Sequence, residues 1–305
     1  MTLGEITAVC ADTRDLNLAL VAVERMAEAG VGHIVLATDA DGAAFVAPRD
    51  RTGAQIVESP TLQTADDYSR FILERLPDLV PDEVVMVFQW DGFIIDPHLW
   101  SEDFLAHDYI GAPWPTPIAS PCGRVGNGGF SLRSRRLMEA ALTLPPRPLD
   151  YPEDRHLIDH LPQLESAGIR VAPLELARRF AIEHHPPYPT KDPERLAPPF
   201  EVLGFHGWCN MHLAYDDAGL LRYVDEVMTP AQRRRILIDG TMFWLIVYLV
   251  HAGRPQGALE LGRRVERELG PAVDLADPDY LRKVTDRLLD ELRRQGVPFL
   301  SADPE

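Results

Sequence analysis

The chain has 305 residues, 46% apolar and 25% charged, which is an ordinary globular composition for a protein large enough to bury a full core. Its formal net charge is −17 at pH 7, and an acidic surface argues against nucleic acid as the natural partner. The amino terminus lacks the features of a signal peptide. The longest apolar run, residues 242–250, is about half the roughly twenty residues that a membrane span needs. Three widely spaced cysteines imply no disulfide framework, so we expect a soluble cytoplasmic protein without a membrane span.

Strand and helix patterns alternate in the first half of the chain. Apolar β-type runs predict three strands, and amphipathic stretches between them predict two helices. The strands are expected at 6–10, 33–37 and 84–88, and the helices at 17–29 and 64–76. This rhythm predicts an α/β fold with a doubly wound, mostly parallel sheet flanked by helices.

Proline dominates the middle of the chain. We expect residues 96–121 and 145–152 to form ordered loops and not helices or central strands, because proline removes a backbone donor. Residues 186–199 contain six prolines and are expected to form an exposed loop over the site. From about residue 216 the pattern is helical, with helices expected at 230–252, 255–269 and 279–295. We therefore predict an α/β domain over 1–215 and a helical carboxy-terminal extension over 216–305.

One carboxylate follows a buried strand directly. Asp91 comes three residues after the run Val84–Phe88, at the end of the segment Gln89-Trp90-Asp91. Ligands of open α/β sheets bind at the carboxyl ends of strands, and Mg²⁺ and Mn²⁺ prefer carboxylate oxygens. Asp91 is equally compatible with a simple turn, because Asp-Gly is a common turn pair.

A glycine cluster, Gly126-Asn127-Gly128-Gly129, follows a strand-like stretch. Glycines allow bare backbone to approach a ligand closely. The cluster is neither a P-loop nor a dinucleotide fingerprint. We expect residues 131–136 to open a helix whose arginines are either solvated or cover phosphate.

Two further candidates come later in the chain. Glu153 and Asp154 stand at a predicted helix start over 155–163, either as ordinary capping residues or with Asp154 as a general base. We expect the helix dipole to lower the pKa of Asp154. His206 lies between two glycines and is a candidate metal ligand, although a lone histidine is more often structural. A zinc site with Cys209 and His212 would need a fourth ligand that the spacing does not supply.

The order of these features resembles the glycosyltransferase A (GT-A) fold, which combines a strand-end acid, a glycine loop, a Glu-Asp helix start and a late histidine. The motifs are similar to those of a mostly bacterial family of presumed glycosyltransferases, known mainly as a domain of unknown function. The similar segments, within about residues 5–215, are 89–93, 108–114, 125–135, 153–154 and 204–207. The resemblance implies transfer of a sugar from a nucleoside diphosphate sugar, with UDP favoured, to a hydroxyl acceptor.

The resemblance also implies residue roles. Asp91 and His206 would bind a divalent cation, Mn²⁺ or Mg²⁺. Asp154, with Glu153 beside it, would be catalytic, as the base of an inverting reaction or as an acceptor-holding residue of a retaining one. The donor would be bound by Ala11, Asp12, Thr13, Arg14, Asp39, Gln89, Trp90, Asn127, Gly128 and Gly129.

Gln89 departs from the GT-A pattern, because it stands where the first metal-binding acid is expected. The departure puts metal dependence in question and supports an alternative, a non-catalytic sugar-nucleotide or glycan-binding module. A nucleotidyltransferase is less favoured, because it would usually carry a glycine- and lysine-rich phosphate loop at the first strand, which residues 12–15 lack. The helical extension is expected to pack on the core, form a homodimer or recruit the acceptor.

Overall fold

The computed structural model describes residues 1–114, 120–183, 201–238 and 241–269. The chain divides into two compact units, Met1–Gly207 and a second that begins at Trp208. The first unit therefore ends slightly before the boundary predicted from the sequence, residue 215. The proline-rich loop predicted at 186–199 and the helix predicted at 279–295 lie outside the described residues.

The first unit contains a central sheet with helices between its strands. Its strands and helices are, in chain order, β1 (Thr7–Ala11), α1 (Leu16–Glu28), β2 (His33–Thr38), α2 (Ala40–Val46), β3 (Gln55–Glu58), α3 (Ala65–Glu74), α4 (Leu76–Leu79), β4 (Val84–Phe88), β5 (Tyr109–Gly111), β6 (Phe130–Ser134), α5 (Arg135–Ala141), α6 (Glu153–Asp159), α7 (Leu161–Ser166), α8 (Leu174–Phe180), β7 (Ala181–Ile182) and β8 (Gly204–Phe205). Short 3₁₀ helices cover Leu3–Glu5, Pro97–Leu99 and Glu102–Ala106.

The six-stranded sheet has the order β3-β2-β1-β4-β6-β5. Strands β3, β2, β1 and β4 are parallel, whereas β6 is antiparallel to β4 and β5 is antiparallel to β6. The predicted doubly wound, mostly parallel sheet flanked by helices is thus confirmed. Helix α2 and strand β3 were not predicted, because both are short and only partly apolar.

The strands that the sequence identified are those buried on both faces. Every residue of β1 is buried, and in β4 only Val84 is not, which explains their uninterrupted apolar runs. Helix α3 begins at a capping box formed by Thr64 and Asp67. Its residues Phe71 and Ile72 pack against the sheet.

The helix expected to open over residues 131–136 is wrong for the first four of them, because Phe130–Ser134 is strand β6 and the helix begins at Arg135. The register pairs Phe88 of β4 with Phe130 of β6. Because β6 is antiparallel to β4, the loop that precedes β6 lies at the same edge as the residues that follow β4. This strand direction brings the glycine cluster to the carboxyl edge of the parallel strands.

Several predicted loop and helix bounds also need correction. Residues 96–121 contain the edge strand β5 and two of the 3₁₀ helices, so they are not simple loop. The helix expected over 155–163 is divided into α6 and α7, with Pro162 at the start of α7, where its missing N–H is tolerated. The helix expected over 64–76 is divided near Arg75 into α3 and α4.

The described part of the second unit is helical, as predicted. Its elements are a 3₁₀ helix (Trp208–Leu213), α9 (Asp217–Arg222), a π-helical segment (Tyr223–Val227), α10 (Pro230–Ile238), α11 (Thr241–His251) and α12 (Pro255–Leu269). Leu245, Tyr248 and Leu249 of the long apolar run are buried. Within the described ranges, no helix is both long and apolar enough to span a membrane.

Candidate functional site

Two adjoining cavities lie at the edge of the sheet where β1 and β4 end. The first, the β1 cavity, has a volume of about 170 Å³ and is lined by Ala11, Asp12, Thr13, Arg14, Leu62, Thr64, Ala65, Tyr68, Gln89 and Trp90. The second, the His206 cavity, has a volume of about 180 Å³ and is lined by Ala65, Tyr68, Ser69, Gln89, Gly129, Asp150, Tyr151, Pro152, Glu153, Asp154 and His206. Ala65, Tyr68 and Gln89 belong to both linings, so the two cavities are direct neighbours, and we call the pair the cleft.

The loop after β1 is held in shape by its own side chains. Asp12 Oδ1 accepts hydrogen bonds from the backbone N–H groups of Arg14 and Asp15, both at 2.7 Å. Thr13 Oγ1 donates to the carbonyl of Leu62 at 3.1 Å and accepts from its N–H at 2.9 Å. Burial raises the pKa of Asp12 to about 6, although the two backbone hydrogen bonds oppose the shift. These contacts fix the floor of the β1 cavity.

His206 follows β8 and is held close to two other segments of the first unit. Its N–H donates to the carbonyl of Ile182 at 2.9 Å. A Cβ added to Gly129 would lie 2.0 Å from His206 Nε2, and one added to Gly92 would lie 2.9 Å from His206 Cδ2. Glycine is therefore needed at both positions 92 and 129, because any larger residue would collide with the His206 imidazole.

Acidic and amide oxygens surround the His206 imidazole. Nε2 lies 3.1 Å from Gln89 Oε1 and 3.7 Å from Asp91 Oδ1, and Nδ1 lies 3.1 Å from Glu183 Oε1. Burial opposes the charged imidazole, but Asp91 and Glu183 outweigh burial and raise the pKa of His206 to about 9. With a pKa of about 9 the imidazole is positively charged at neutral pH, and both ring N–H groups have acceptors, Gln89 and Glu183.

The same atoms fit a divalent cation once that proton is lost. Among the described residues, no group of three or more His, Cys, Asp or Glu side chains is arranged to hold a metal ion. Gln89 Oε1 and Asp91 Oδ1 nevertheless lie 3.1 and 3.7 Å from His206 Nε2, and separations of this size suit ligands of one cation. Mg²⁺ is commonly held by one or two carboxylates together with water and substrate phosphates. The donor set is therefore compatible with a divalent cation whose remaining ligands come from outside these three side chains.

Asp154 stands in the first turn of α6. Its Oδ2 accepts from the N–H of Gly128 at 2.9 Å, and its Oδ1 accepts from the N–H of Arg155 at 2.6 Å. Burial, followed by the negative charge of Glu153, raises the pKa of Asp154 to about 7. The prediction that the helix dipole lowers this pKa was wrong, because desolvation outweighs the hydrogen bonds at the helix start. A carboxyl group with a pKa near 7 is well matched to general base catalysis at neutral pH.

Glu153, the other residue of this pair, is 3% exposed and accepts from Arg133 Nη2 at 2.6 Å. Its Oε2 is buried without a hydrogen-bond partner among the described residues. Arg133 itself is 2% exposed, so the expectation that it is solvated or covers phosphate is corrected. The reason is strand β6, which directs Arg133 into the interior.

Most of the sequence-predicted site residues come together at the cleft. Asn127 Nδ2 lies 3.1 Å from His206 Nδ1, and Gly128 contacts Asp154 as described above. Asp91, Asn127 and Gly128 line neither cavity but lie beside His206 or Asp154, which line the second. Asp39 is an exception: it also lines neither cavity, and its side chain caps α2 by accepting from the N–H of Gly42 at 2.9 Å. The structure gathers the residues, and their roles in donor binding, metal binding and catalysis stay predictions.

The structure adds two residues that the sequence did not single out, Tyr68 and Glu183, and it changes the role expected for Arg133. Tyr68 lines both cavities from α3, and its position on a predicted amphipathic helix was the only available signal. Glu183 follows β7, a two-residue strand that gives no recognisable pattern. Arg133 would have been found only by interpreting residues 130–134 as an alternating strand.

A buried carboxylate also shapes one wall of the His206 cavity. Asp66 Oδ1 accepts from Arg147 Nη2 at 2.6 Å and from the N–H of Asp150 at 2.9 Å. Asp150 has a positive φ of 57°, which is uncommon outside glycine. The ion pair therefore holds the loop before α6 in a conformation that costs backbone energy.

Residues 51–199, just under half of the chain, match the model of a family described as "Protein of unknown function (DUF5672)". No curated protein matches the chain. Similar solved structures include the inositol-1-phosphate CTP transferase from T. maritima, with 12% identity over 54% of this chain and 83% of that chain and a TM-score of 0.38.

Glucosyl-3-phosphoglycerate synthase from Mycobacterium tuberculosis, in complex with Mn²⁺, UDP and glucosyl-3-phosphoglycerate, has 16% identity over 58% of this chain and 80% of that chain, with a TM-score of 0.40. A nucleotidyl transferase from Methanothermobacter thermautotroptrophicus has 13% identity over 54% and 84%, with a TM-score of 0.36. Because these sequence identities and TM-scores are low, the fold assignment rests on the strand order of the sheet.

Proposed function

We propose that this protein is a glycosyltransferase that moves a sugar from a nucleoside diphosphate sugar, with UDP favoured, to a hydroxyl acceptor with the help of a divalent cation. The observation that carries the proposal is the pair of adjoining cavities. One is formed by the loop after the first strand, and the other holds His206 and a carboxyl group whose pKa lies near 7.

The division of the cleft supports an assignment of donor groups. The β1 cavity would take the nucleoside, because it lies at the carboxyl end of β1, where open α/β sheets bind ligands. Gln89 belongs to both cavities and would stand beside the diphosphate. The sugar would then occupy the His206 cavity, beside Gly129 and Asp154.

Asp154 would act on the acceptor. Its carboxylate would remove the proton of the acceptor hydroxyl as that oxygen attacks the anomeric carbon, and the sugar–phosphate bond would break as the new bond forms. Gly128 and Arg155 hold the two carboxylate oxygens through backbone N–H groups, so the orientation of the base is preset.

Asp91 and His206, with Gln89 beside them, would hold the cation. When bound, the cation would stabilise negative charge on the leaving diphosphate. Gln89 would contribute a neutral oxygen, so the cation would be balanced by one negative charge fewer than in a site with two acids.

The test is thermal stabilisation and turnover with a panel of UDP-sugars, each with Mn²⁺ and with a chelator. A ligand that binds only the folded state raises the melting temperature. The proposal predicts a metal-dependent shift with one donor, and release of UDP that accelerates with a hydroxyl acceptor. Stabilisation without turnover would favour the alternative, a binding module that has lost catalysis.

The Asp91→Ala variant tests the metal site directly. It should lose the metal-dependent part of the shift and most turnover while remaining folded. Asp103→Ala, which removes an exposed carboxylate, is the matched control, whereas Asp91 lies 3.7 Å from His206 Nε2. Retention of metal-dependent turnover by Asp91→Ala would rule out the ligand assignment.

A further inference from the structure

A charged pair is buried next to the His206 cavity. Arg133 Nη2 and Glu153 Oε1 are 2.6 Å apart, and the two side chains are 2% and 4% exposed. Removing two charges from water is costly, and apolar residues of the same volume often give equal or greater stability. The pair therefore need not be present for stability, and we ask instead which neighbouring groups it holds in place.

Arg133 connects more than Glu153. Its Nη2 also reaches the carbonyl of Gly128 at 3.3 Å, and its Nε donates to Ser131 Oγ at 3.1 Å. Ser131 Oγ in turn donates to the same Gly128 carbonyl at 3.0 Å. The planar fork of arginine can serve these acceptors at once, whereas a lysine ammonium cannot reproduce that arrangement.

Gly128 is enclosed by the pair and by Asp154. A Cβ added to Gly128 would lie 2.5 Å from Glu153 Oε1, 2.7 Å from Arg133 Nη2 and 2.9 Å from Asp154 Cβ. The carbonyl of Gly128 is held by Arg133, while its N–H donates to Asp154 Oδ2 at 2.9 Å. The backbone of one residue, Gly128, thus connects the ion pair to the Asp154 carboxylate.

We infer that Arg133 and Glu153 are positioning residues, which hold the loop 126–129 against the first turn of α6 and thereby set where the Asp154 carboxylate stands in the His206 cavity. The inference rests on the proposed role of Asp154 as the base. Glu153 then serves the reaction through Arg133 and Gly128, and not by proton transfer of its own.

Two conservative variants test the inference. Arg133→Lys keeps the charge but loses the fork, and Glu153→Gln keeps the shape but loses the charge. Both should lower kcat per UDP-binding site by about tenfold or more, because small displacements of a catalytic group are costly. The Kd for UDP should change less than twofold, since the β1 cavity is lined by other residues. Counting UDP-binding sites by calorimetry corrects for any unfolded fraction.

Arg136→Lys and Glu139→Gln are the matched controls. Their side chains are 58% and 60% exposed, and neither lines a cavity. Both controls should retain wild-type kcat and UDP affinity.

Hydrogen exchange gives a readout that does not depend on turnover. In Arg133→Lys and Glu153→Gln, the Gly128 amide should exchange at least about tenfold faster, while the amide of Val87 in the central strand β4 keeps its wild-type protection. Unchanged Gly128 protection, or equal loss at Gly128 and Val87, would overturn the positioning role. If no UDP-sugar is turned over, the proposed function fails, and the exchange result still decides whether the pair positions the loop.

Discussion

The two cavities of the cleft differ in the charged side chains that surround their polar groups. In the β1 cavity, the side chains of Asp12 and Thr13 form hydrogen bonds with nearby backbone groups, which hold the loop in its conformation. In the His206 cavity, neighbouring charges act on both groups: Asp91 and Glu183 raise the pKa of His206, and Glu153 adds to the burial that raises the pKa of Asp154. A loop held in shape in advance suits ligand binding, whereas groups with shifted pKa values beside other charges suit proton transfer and cation binding.

This contrast indicates that the ends can be perturbed separately. Changes in the β1 cavity should alter affinity for the nucleotide, whereas changes in the His206 cavity should alter turnover and metal binding. Four substitutions or conditions test the separation.

The largest effect is expected for Gly129→Ala. The new methyl group would lie 2.0 Å from His206 Nε2, so the ring must move away from Gln89 and Asp91. We expect kcat/KM for the donor to fall by about 100-fold or more, as for a misplaced catalytic group. Gly4→Ala, where the added carbon meets only ordinary contacts of 3.7 Å or more, should be neutral. Normal metal affinity and turnover in Gly129→Ala would contradict the site.

Asp154→Asn should lose turnover and gain stability. Removal of a general base typically costs about 100-fold or more in kcat. The folded state raises the pKa of Asp154 from 3.8 to about 7, so it binds the proton more tightly than the unfolded state does. Ionisation of Asp154 therefore costs stability as pH rises through this interval.

Because asparagine removes that cost, the melting temperature of Asp154→Asn relative to wild type should increase between pH 5 and pH 8. Thermal scans at both values check the sign. A constant difference would mean that the Asp154 carboxyl does not titrate in this range.

Binding of Mn²⁺ should depend on pH through His206. Burial opposes protonation of the imidazole, but Asp91 and Glu183 raise its pKa to about 9, so the cation must displace a proton below that pH. Affinity should rise about tenfold per pH unit between pH 6.5 and 8.5. Electron paramagnetic resonance titration of Mn²⁺ measures it, and the slope should disappear in His206→Gln. A pH-independent affinity for wild type would exclude His206 as a ligand.

The smallest effect is expected in the β1 cavity. Thr13→Val removes both hydrogen bonds to Leu62 and should weaken UDP binding about tenfold, which corresponds to about 1.4 kcal/mol. The kcat at saturating donor should stay within about twofold of wild type. Thr143→Val, at an exposed position outside both cavities, is the control. A large fall in kcat would show that the two ends are not separable.

Much of the site could be predicted from sequence because its residues lie next to strong local signals. Asp91 follows a strand that is buried on both faces, and Glu153 and Asp154 open a helix. Sequence reasoning missed Glu183 and assigned Arg133 to the wrong element, because each depends on a short or antiparallel strand that carries little pattern. It also gave the wrong sign for the pKa shift of Asp154, since desolvation depends on neighbours that are distant in sequence.

The sequence by itself determined the alternating α/β pattern, the helical second part and the positions of the candidate residues. A strand buried on both faces is a continuous apolar run, and a helix buried on one face has periodic apolar residues, so both are visible in a local segment. Only the tertiary structure decided which residues meet. The antiparallel direction of β6 places the loop 126–129 beside the end of β4, and the close approach of β8 places His206 over Gly129. Strand direction and interior electrostatics arise from packing across the whole unit, which no local segment specifies.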